Sequence, residues 1–138
     1  MTEDTPTAGK ARIIVVDDED ALRFVLTVAL REKYNITAFS NGTAALEDVR
    51  QTPCDAALVD LQMPGMSGIE LLKEFNKLPA TLRPEKIIVS GKLTSELLEQ
   101  CNALGVIDTI RKPFRLAVVE KAIERAIAVR RRRLESTQ

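Results

Sequence analysis

Histidine is missing from the 138 residues altogether, and cysteine occurs only twice, as Cys54 and Cys101. The two thiols stand in apolar surroundings without C-x-x-C spacing. Neither a structural zinc site nor a disulfide framework is expected, and two buried thiols in a reducing compartment are. Net charge is absent too: 20 Lys and Arg balance 20 Asp and Glu, so no global field points to nucleic acid. No apolar run approaches the ~18 residues of a membrane span. The start, M-T-E-D-T-P-T-A-G-K, lacks the apolar core of a signal peptide. No internal repeat is present. What remains, at 45% hydrophobic and 29% charged, is the balance of one globular domain with a single core. A cytoplasmic location is expected.

Residues 1–11 carry Thr, Pro and Gly without periodicity and read as a flexible lead-in. Arg12 to Val16 is a β-branched run that ends on Asp17-Asp18, as a strand buried on both faces would. Ala21 to Lys33 reads as a helix with Leu22, Val25, Leu26, Ala29 and Leu30 at core spacing. Tyr34 to Phe39 reads as a second strand, and Thr43 to Gln51 as a short helix stopped before Pro53. Ala56 to Asp60 is a third strand, broken at Met63-Pro64-Gly65. Ser67, with Glu70 three residues on, predicts a capping box for a helix whose apolar face is Ile69, Leu71, Leu72 and Phe75. A loop from Pro79 to Pro84 precedes a fourth strand, Lys86 to Gly91. Thr94 or Ser95 caps a helix to about Asn102, Val106 to Ile110 is a fifth strand, and a last helix runs from about Leu116 towards Arg133. Strands and helices in alternation predict a parallel α/β sheet covered on both faces.

In such a sheet the carboxyl ends of the strands lie on one edge, where ligands bind. The first strand ends on Asp17 and Asp18, the third on Asp60 and the fourth on Ser90, and Lys112 follows the fifth. One such residue is an ordinary turn or cap former; four strand ends that deliver carboxylates, a hydroxyl and an ammonium to one rim are not. Clustered carboxylates repel one another unless a cation neutralises them. Oxygen donors without imidazole or thiolate favour Mg²⁺ over a transition metal. A metal held by carboxylates beside Lys and Ser suits a transferring phosphoryl group, and Asp is a known phosphoryl acceptor. Asp60, on the central strand, is the candidate acceptor.

V-V-D-D-E, A-L-V-D-L-Q-M-P-G-M-S-G, I-I-V-S-G and R-K-P-F, in this order, resemble the signature of response-regulator receiver domains from Arg12 to about Arg130. The resemblance implies a flavodoxin-like, doubly wound five-stranded parallel sheet of order 2-1-3-4-5 with five helices. It implies a domain over residues 12–130, with 131–138 as a basic tail. Asp60 would accept the phosphoryl group, and Asp17, Asp18, Asp60 and the Gln62 backbone carbonyl would hold Mg²⁺ (or Mn²⁺). Lys112, joined to Pro113 through a commonly cis bond, would contact the phosphoryl group, and Ser90 would follow it. The donor would be a sensor histidine kinase or a histidine phosphotransfer protein. An output protein would read the face formed by the fourth helix, fifth strand and fifth helix, and the protein would be a monomer or weak dimer. It would not be an enzyme beyond its own phosphorylation and dephosphorylation. Alternatives are the excised receiver of a longer transcriptional regulator or hybrid kinase, or a phosphorelay intermediate. An Mg²⁺-dependent phosphohydrolase comes last, because position 62 is Gln rather than a second Asp.

Thr109 departs from the pattern, since the family carries an aromatic switch residue three positions before the lysine. Weaker or differently routed coupling to the outer face is expected, beside the plain reading of Thr as a good strand residue. Gln62 and Lys92 flank the expected phosphoryl position and would tune the attack of water upon it. From Arg111 onward nine basic residues face three acidic ones. Arg130 to Arg133 oppose a helix macrodipole, worth roughly 0.3–1 kcal/mol each at low salt. They carry no companion motif for nucleic acid, which is not expected as a partner. The stripe Leu116, Val119, Ile123, Ala126 and Ile127 would dock on the sheet, and beyond Arg130 the helix would project into solvent.

Overall fold

In the computed structural model, which describes residues 9–136, five strands alternate with five helices. The strands are β1 (Arg12–Val16), β2 (Asn35–Phe39), β3 (Ala56–Val59), β4 (Glu85–Ser90) and β5 (Asp108–Arg111). The helices are α1 (Asp20–Leu30), α2 (Gly42–Val49), α3 (Gly68–Asn76), α4 (Ser95–Ala103) and α5 (Leu116–Glu135). All pairings are parallel and the order is β2-β1-β3-β4-β5, as expected. The expected lead-in falls mostly outside the described residues. Its last residue, Ala11, accepts a hydrogen bond from the Asn35 amide beside β1.

The continuous apolar runs are buried on both faces because alternate side chains enter two separate cores. Ile14, Val16, Ala57, Val59 and Ile88 pack against Leu46, Val49, Leu71, Leu72, Phe75 and Cys101 of α2, α3 and α4. Ile13, Val15, Leu58, Ile87, Val89 and Ile110 pack against Leu26 and Leu30 of α1 and Val119, Ala122, Ile123 and Ala126 of α5. Each fully buried Val, Leu or Ile contributes roughly 1.5–3 kcal/mol. The two cores thus clamp the three central strands from both sides. Ser67 and Glu70 form the expected capping box on α3, and Thr94, not Ser95, caps α4 by accepting from the Leu97 amide.

Several boundaries and faces differ from expectation. Helix α1 stops at Leu30, and Val25 and Ala29 lie outside its buried face. Its apolar surface is wider than its contact: Phe24, Val25 and Val28 are 70%, 55% and 40% exposed. Strand β5 starts two residues late, at Asp108. Leu116 is exposed and leaves the α5 stripe, whose buried members are Val119, Ala122, Ile123, Ala126 and Arg130.

The projection of α5 beyond Arg130 is corrected as well. Arg130 is buried and donates to Asp55 and to the Thr81 and Arg83 carbonyls. Arg133 reaches Glu85 at 2.8 Å and the Ala80 and Arg83 carbonyls. The helix is continuous to Glu135, and these two arginines fasten it to the amino-terminal end of β4 and the loop before it. Arg131 and Arg132 remain exposed.

Both cysteines are free and buried, as the sequence predicts. Burial raises the Cys54 thiol from 9.0 to about 12. Between those values the unfolded chain loses a proton that the folded chain keeps, so this thiol's contribution to stability is full below pH 9 and declines as the pH rises above it. A native-state thiol assay at pH 8 is therefore expected to leave Cys54 unmodified until denaturant is added.

Candidate functional site

Three backbone hydrogen bonds carry the sheet one residue past its strand ends and fix the site. The Asp17 amide donates to Phe39 O (3.1 Å), the Asp60 amide to Val16 O (3.0 Å) and the Lys112 amide to Ser90 O (2.9 Å). Asp17, Asp60 and Lys112 are thus held by neighbouring strands and not by free loops. Carboxylate oxygens of Asp17, Asp18 and Asp60 lie within 4.8 Å of one another. Asp17 and Asp60 are buried (2% and 7% exposed), while Asp18 faces solvent.

The two buried carboxylates divide their oxygens in the same way. One oxygen of Asp17 accepts from the Glu19 amide (2.9 Å), and one of Asp60 from the Gln62 amide (3.2 Å). The other oxygens face Lys112 Nζ, at 2.7 Å from Asp17 and 3.3 Å from Asp60. One oxygen of Asp60 is thus taken up in a turn, while the other faces the ammonium. Burial disfavours charge on Asp17 and raises it above the ordinary 3.8, against the pull of Lys112 and of the Glu19 amide. Burial also works against the Lys112 ammonium, but its bond to Asp17 and the charges of Asp17 and Asp60 outweigh that and raise it above 10.5. The site gathers three carboxylates around one ammonium, a surplus of negative charge that a cation would offset.

The remaining residues that the sequence singles out line the same edge with different standing. Ser90 is fully buried at the end of β4, and its hydroxyl is paired with the Lys92 amide and carbonyl, each at 3.4 Å. Gln62 and Lys92 are exposed beside the carboxylates and the hydroxyl. Thr109 lies on β5 opposite Ile88, two residues from the edge, and lines a groove of about 230 Å³ with Leu98, Cys101 and Asn102 of α4. The Lys112–Pro113 bond is cis.

Sequence reading overlooked three contributors. Arg23 donates to the Asp17 carbonyl at 2.7 Å and pairs with Asp20, holding the acidic turn to the first turn of α1. Glu19 lies 3.7 Å from Lys112. Gly68 lets the start of α3 lie directly on the backbone of Asp60 and Leu61. The acid-to-arginine spacing of Asp20 and Arg23 was visible; the close approach at Gly68 was not.

Among curated proteins, the chain is 28% identical over 120 residues to the Sporulation initiation phosphotransferase F of Bacillus subtilis, covering 86% of this chain and 95% of that protein. It is 33% identical over 115 residues, 83% of its length, to the DNA-binding transcriptional regulator NtrC of Escherichia coli K12, but spans only 24% of that regulator. Among solved structures, the receiver domain of a sensor histidine kinase from Pseudomonas aeruginosa PAO1, described with a magnesium ion coordinated in its active-site cleft, superposes with TM-score 0.78 at 24% identity. That superposition covers 87% of this chain and 99% of that one. A CheY-like receiver protein from Methanospirillum hungatei JF-1 gives TM-score 0.82 at 24% identity, covering 91% and 99%. The family model for the response regulator receiver domain matches residues 13–124, a stretch that takes in every strand end forming the site, and the chain belongs to that family.

Proposed function

We propose that the protein is the phosphoacceptor of a two-component phosphorelay, with Asp60 as the residue phosphorylated. The observation that carries this reading is the meeting of three carboxylates within 4.8 Å with a lysine bonded to the two buried ones. A carboxylate oxygen of Asp60 attacks the phosphorus of a donor phosphohistidine. The new O–P bond forms as the N–P bond breaks, and the imidazole nitrogen keeps that bond's electron pair. Asp17, Asp18, Asp60 and the Gln62 carbonyl would hold Mg²⁺, whose charge, when bound, supplies electrostatic stabilisation to the transferring oxygens. The donor set fits: every side chain in it offers a hard oxygen. Lys112 neutralises the anion at Asp60, and Ser90 turns its hydroxyl from Lys92 to the phosphoryl oxygen. Gln62 and Lys92, exposed at the rim, set how readily water removes the group. The phosphorylated receiver signals by contact, through the face of α4, β5 and α5.

The alignment to a quarter of the longer regulator supports a second reading, that the same chemistry serves as one module of a larger protein. Incubation with acetyl phosphate and Mg²⁺ tests the shared core of both: intact mass should show one added phosphoryl group, and no gain when a chelator withholds the metal from the start.

Donor docking has its own support in the exposed apolar side chains of α1. Phe24 follows Arg23, which is bonded to the Asp17 carbonyl, so the patch borders the reacting edge. A helix of the donor laid on Phe24, Val25 and Val28 would bring its phosphohistidine over Asp60. Phe24→Glu is expected to slow transfer from a histidine-phosphorylated donor about tenfold or more, with uptake from acetyl phosphate unchanged. Equal loss with both donors would contradict docking on α1.

A further inference from the structure

We infer that Arg111 carries the phosphorylation signal from Ser90 to α4, in the role that an aromatic at position 109 fills elsewhere in the family. The inference rests on the phosphoacceptor reading above and adds the route by which that site reaches the outer surface.

Two tethers hold the segment from Gly91 to Leu93. Ser90 Oγ meets both the amide and the carbonyl of Lys92 at 3.4 Å, the long end of hydrogen bonding. Arg111, paired with Ser90 in the β4–β5 register, donates from its guanidinium to the carbonyl of Leu93 at 3.2 Å. Leu93 directly precedes Thr94, whose hydroxyl caps α4 by accepting from the Leu97 amide, and its side chain packs on the core beneath. The chain of contact therefore runs from the site hydroxyl through Lys92 and Leu93 to the cap of α4, with Arg111 fastening its midpoint to β5.

Thr109 lacks the bulk for this work. It faces α4 across the 230 Å³ groove it shares with Leu98, Cys101, Val106 and Ile107, and a hydroxyl and one methyl leave that space open. The open groove gives α4 room to shift against β5. Arg111 extends from the same face of the same strand, two residues on, and its long side chain bridges to the moving segment. When the Ser90 hydroxyl leaves Lys92, the segment loses its first tether. The second then converts the displacement at Leu93 into relative movement of β5 and the first turn of α4.

Amide chemical shifts of the full chain with Mg²⁺, recorded with and without beryllofluoride, test this. In the wild type, signals of Ser90, Lys92, Leu93 and Leu97 should all move, and those of Leu97 more than those of Thr109. In Arg111→Ala the shifts at Ser90 and Lys92 should persist while those at Leu97 fall to baseline. Arg111→Lys, which keeps one donor, should restore part of the Leu97 response. Phosphoryl uptake from acetyl phosphate should be the same in all three proteins. Full wild-type shifts at Leu97 in Arg111→Ala would overturn the route through Arg111 and leave the phosphoacceptor reading intact. No response at Ser90 in the wild type would overturn the phosphoacceptor reading, and the route with it.

Discussion

Lys112→Ala is expected to slow phosphoryl uptake from acetyl phosphate by about 10²-fold or more, the cost of removing one preorganised donor from developing charge. Magnesium affinity should not weaken. In the resting protein Lys112 spreads its ammonium between Asp17 and Asp60, at 2.7 and 3.3 Å, with its side chain only 21% exposed. Those same carboxylates are the proposed metal ligands, so the lysine and the metal draw on one pool of negative charge. Removing the lysine frees that charge for the metal while stripping the transferring group of its nearby cation. A variant that had merely lost its fold would lose both properties. The chain contains no tryptophan, so metal titration is best followed by amide shifts, and uptake by intact mass. Wild-type uptake in Lys112→Ala would remove the residue from the chemistry.

Gly68→Ala is expected to damage stability and site together. A Cβ built there would stand 2.4 Å from the Asp60 carbonyl oxygen and 2.6 Å from Leu61 Cα. Both are backbone atoms at the end of β3 and have no rotamer to yield. Either α3 lifts from the sheet, breaking the Gly68 amide bond to Leu61 O (3.1 Å), or the backbone of Asp60 moves. Overpacking of this kind costs about 1–3 kcal/mol, seen as a lower urea midpoint, and the folded fraction should still take up phosphoryl groups slowly because Asp60 is displaced. Two other glycines serve as controls. Gly65 has φ +76° but open space around a Cβ, so alanine there should strain the turn without touching Asp60. At Gly42 the nearest atom is the flexible Met66 sulfur at 3.1 Å, which can move aside. Damage to uptake at Gly65 or Gly42 equal to that at Gly68 would contradict the special role of the α3–Asp60 contact.

Much of this architecture was legible because the physics that builds it leaves long sequence signatures. A strand buried on both faces must be apolar throughout, so Asp17, Asp60 and Ser90 stand out as the first polar residues after such runs. Parallel topology then assigns all of them to one edge without any knowledge of side-chain positions. The errors arose where a helix surface is ambiguous. Helix α1 is apolar on two faces, and periodicity alone cannot say that Leu26 and Leu30 bury while Phe24, Val25 and Val28 do not. On α5 the error ran the other way. Arg130 and Arg133 continue the spacing of Ala126, yet their charge suggested solvent. Long arginine stems can lie along a packed surface while the guanidinium finds carbonyls and carboxylates, here those of Thr81, Arg83, Asp55 and Glu85. Gly68 and Arg111 were hidden for a third reason: a close backbone approach, and a contact from β5 to the segment between β4 and α4, are tertiary facts with no local pattern.

The claim on which the rest depends is that the phosphoryl group is carried by Asp60 itself. Borohydride reduction after acetyl phosphate treatment, followed by peptide mapping, tests it most directly, because an aspartyl phosphate is reduced to homoserine at the residue that bears it. The expected result is homoserine at position 60 in the wild type and none anywhere in Asp60→Asn. Homoserine at position 17 or 18, or labelling of Asp60→Asn equal to that of the wild type, would contradict it.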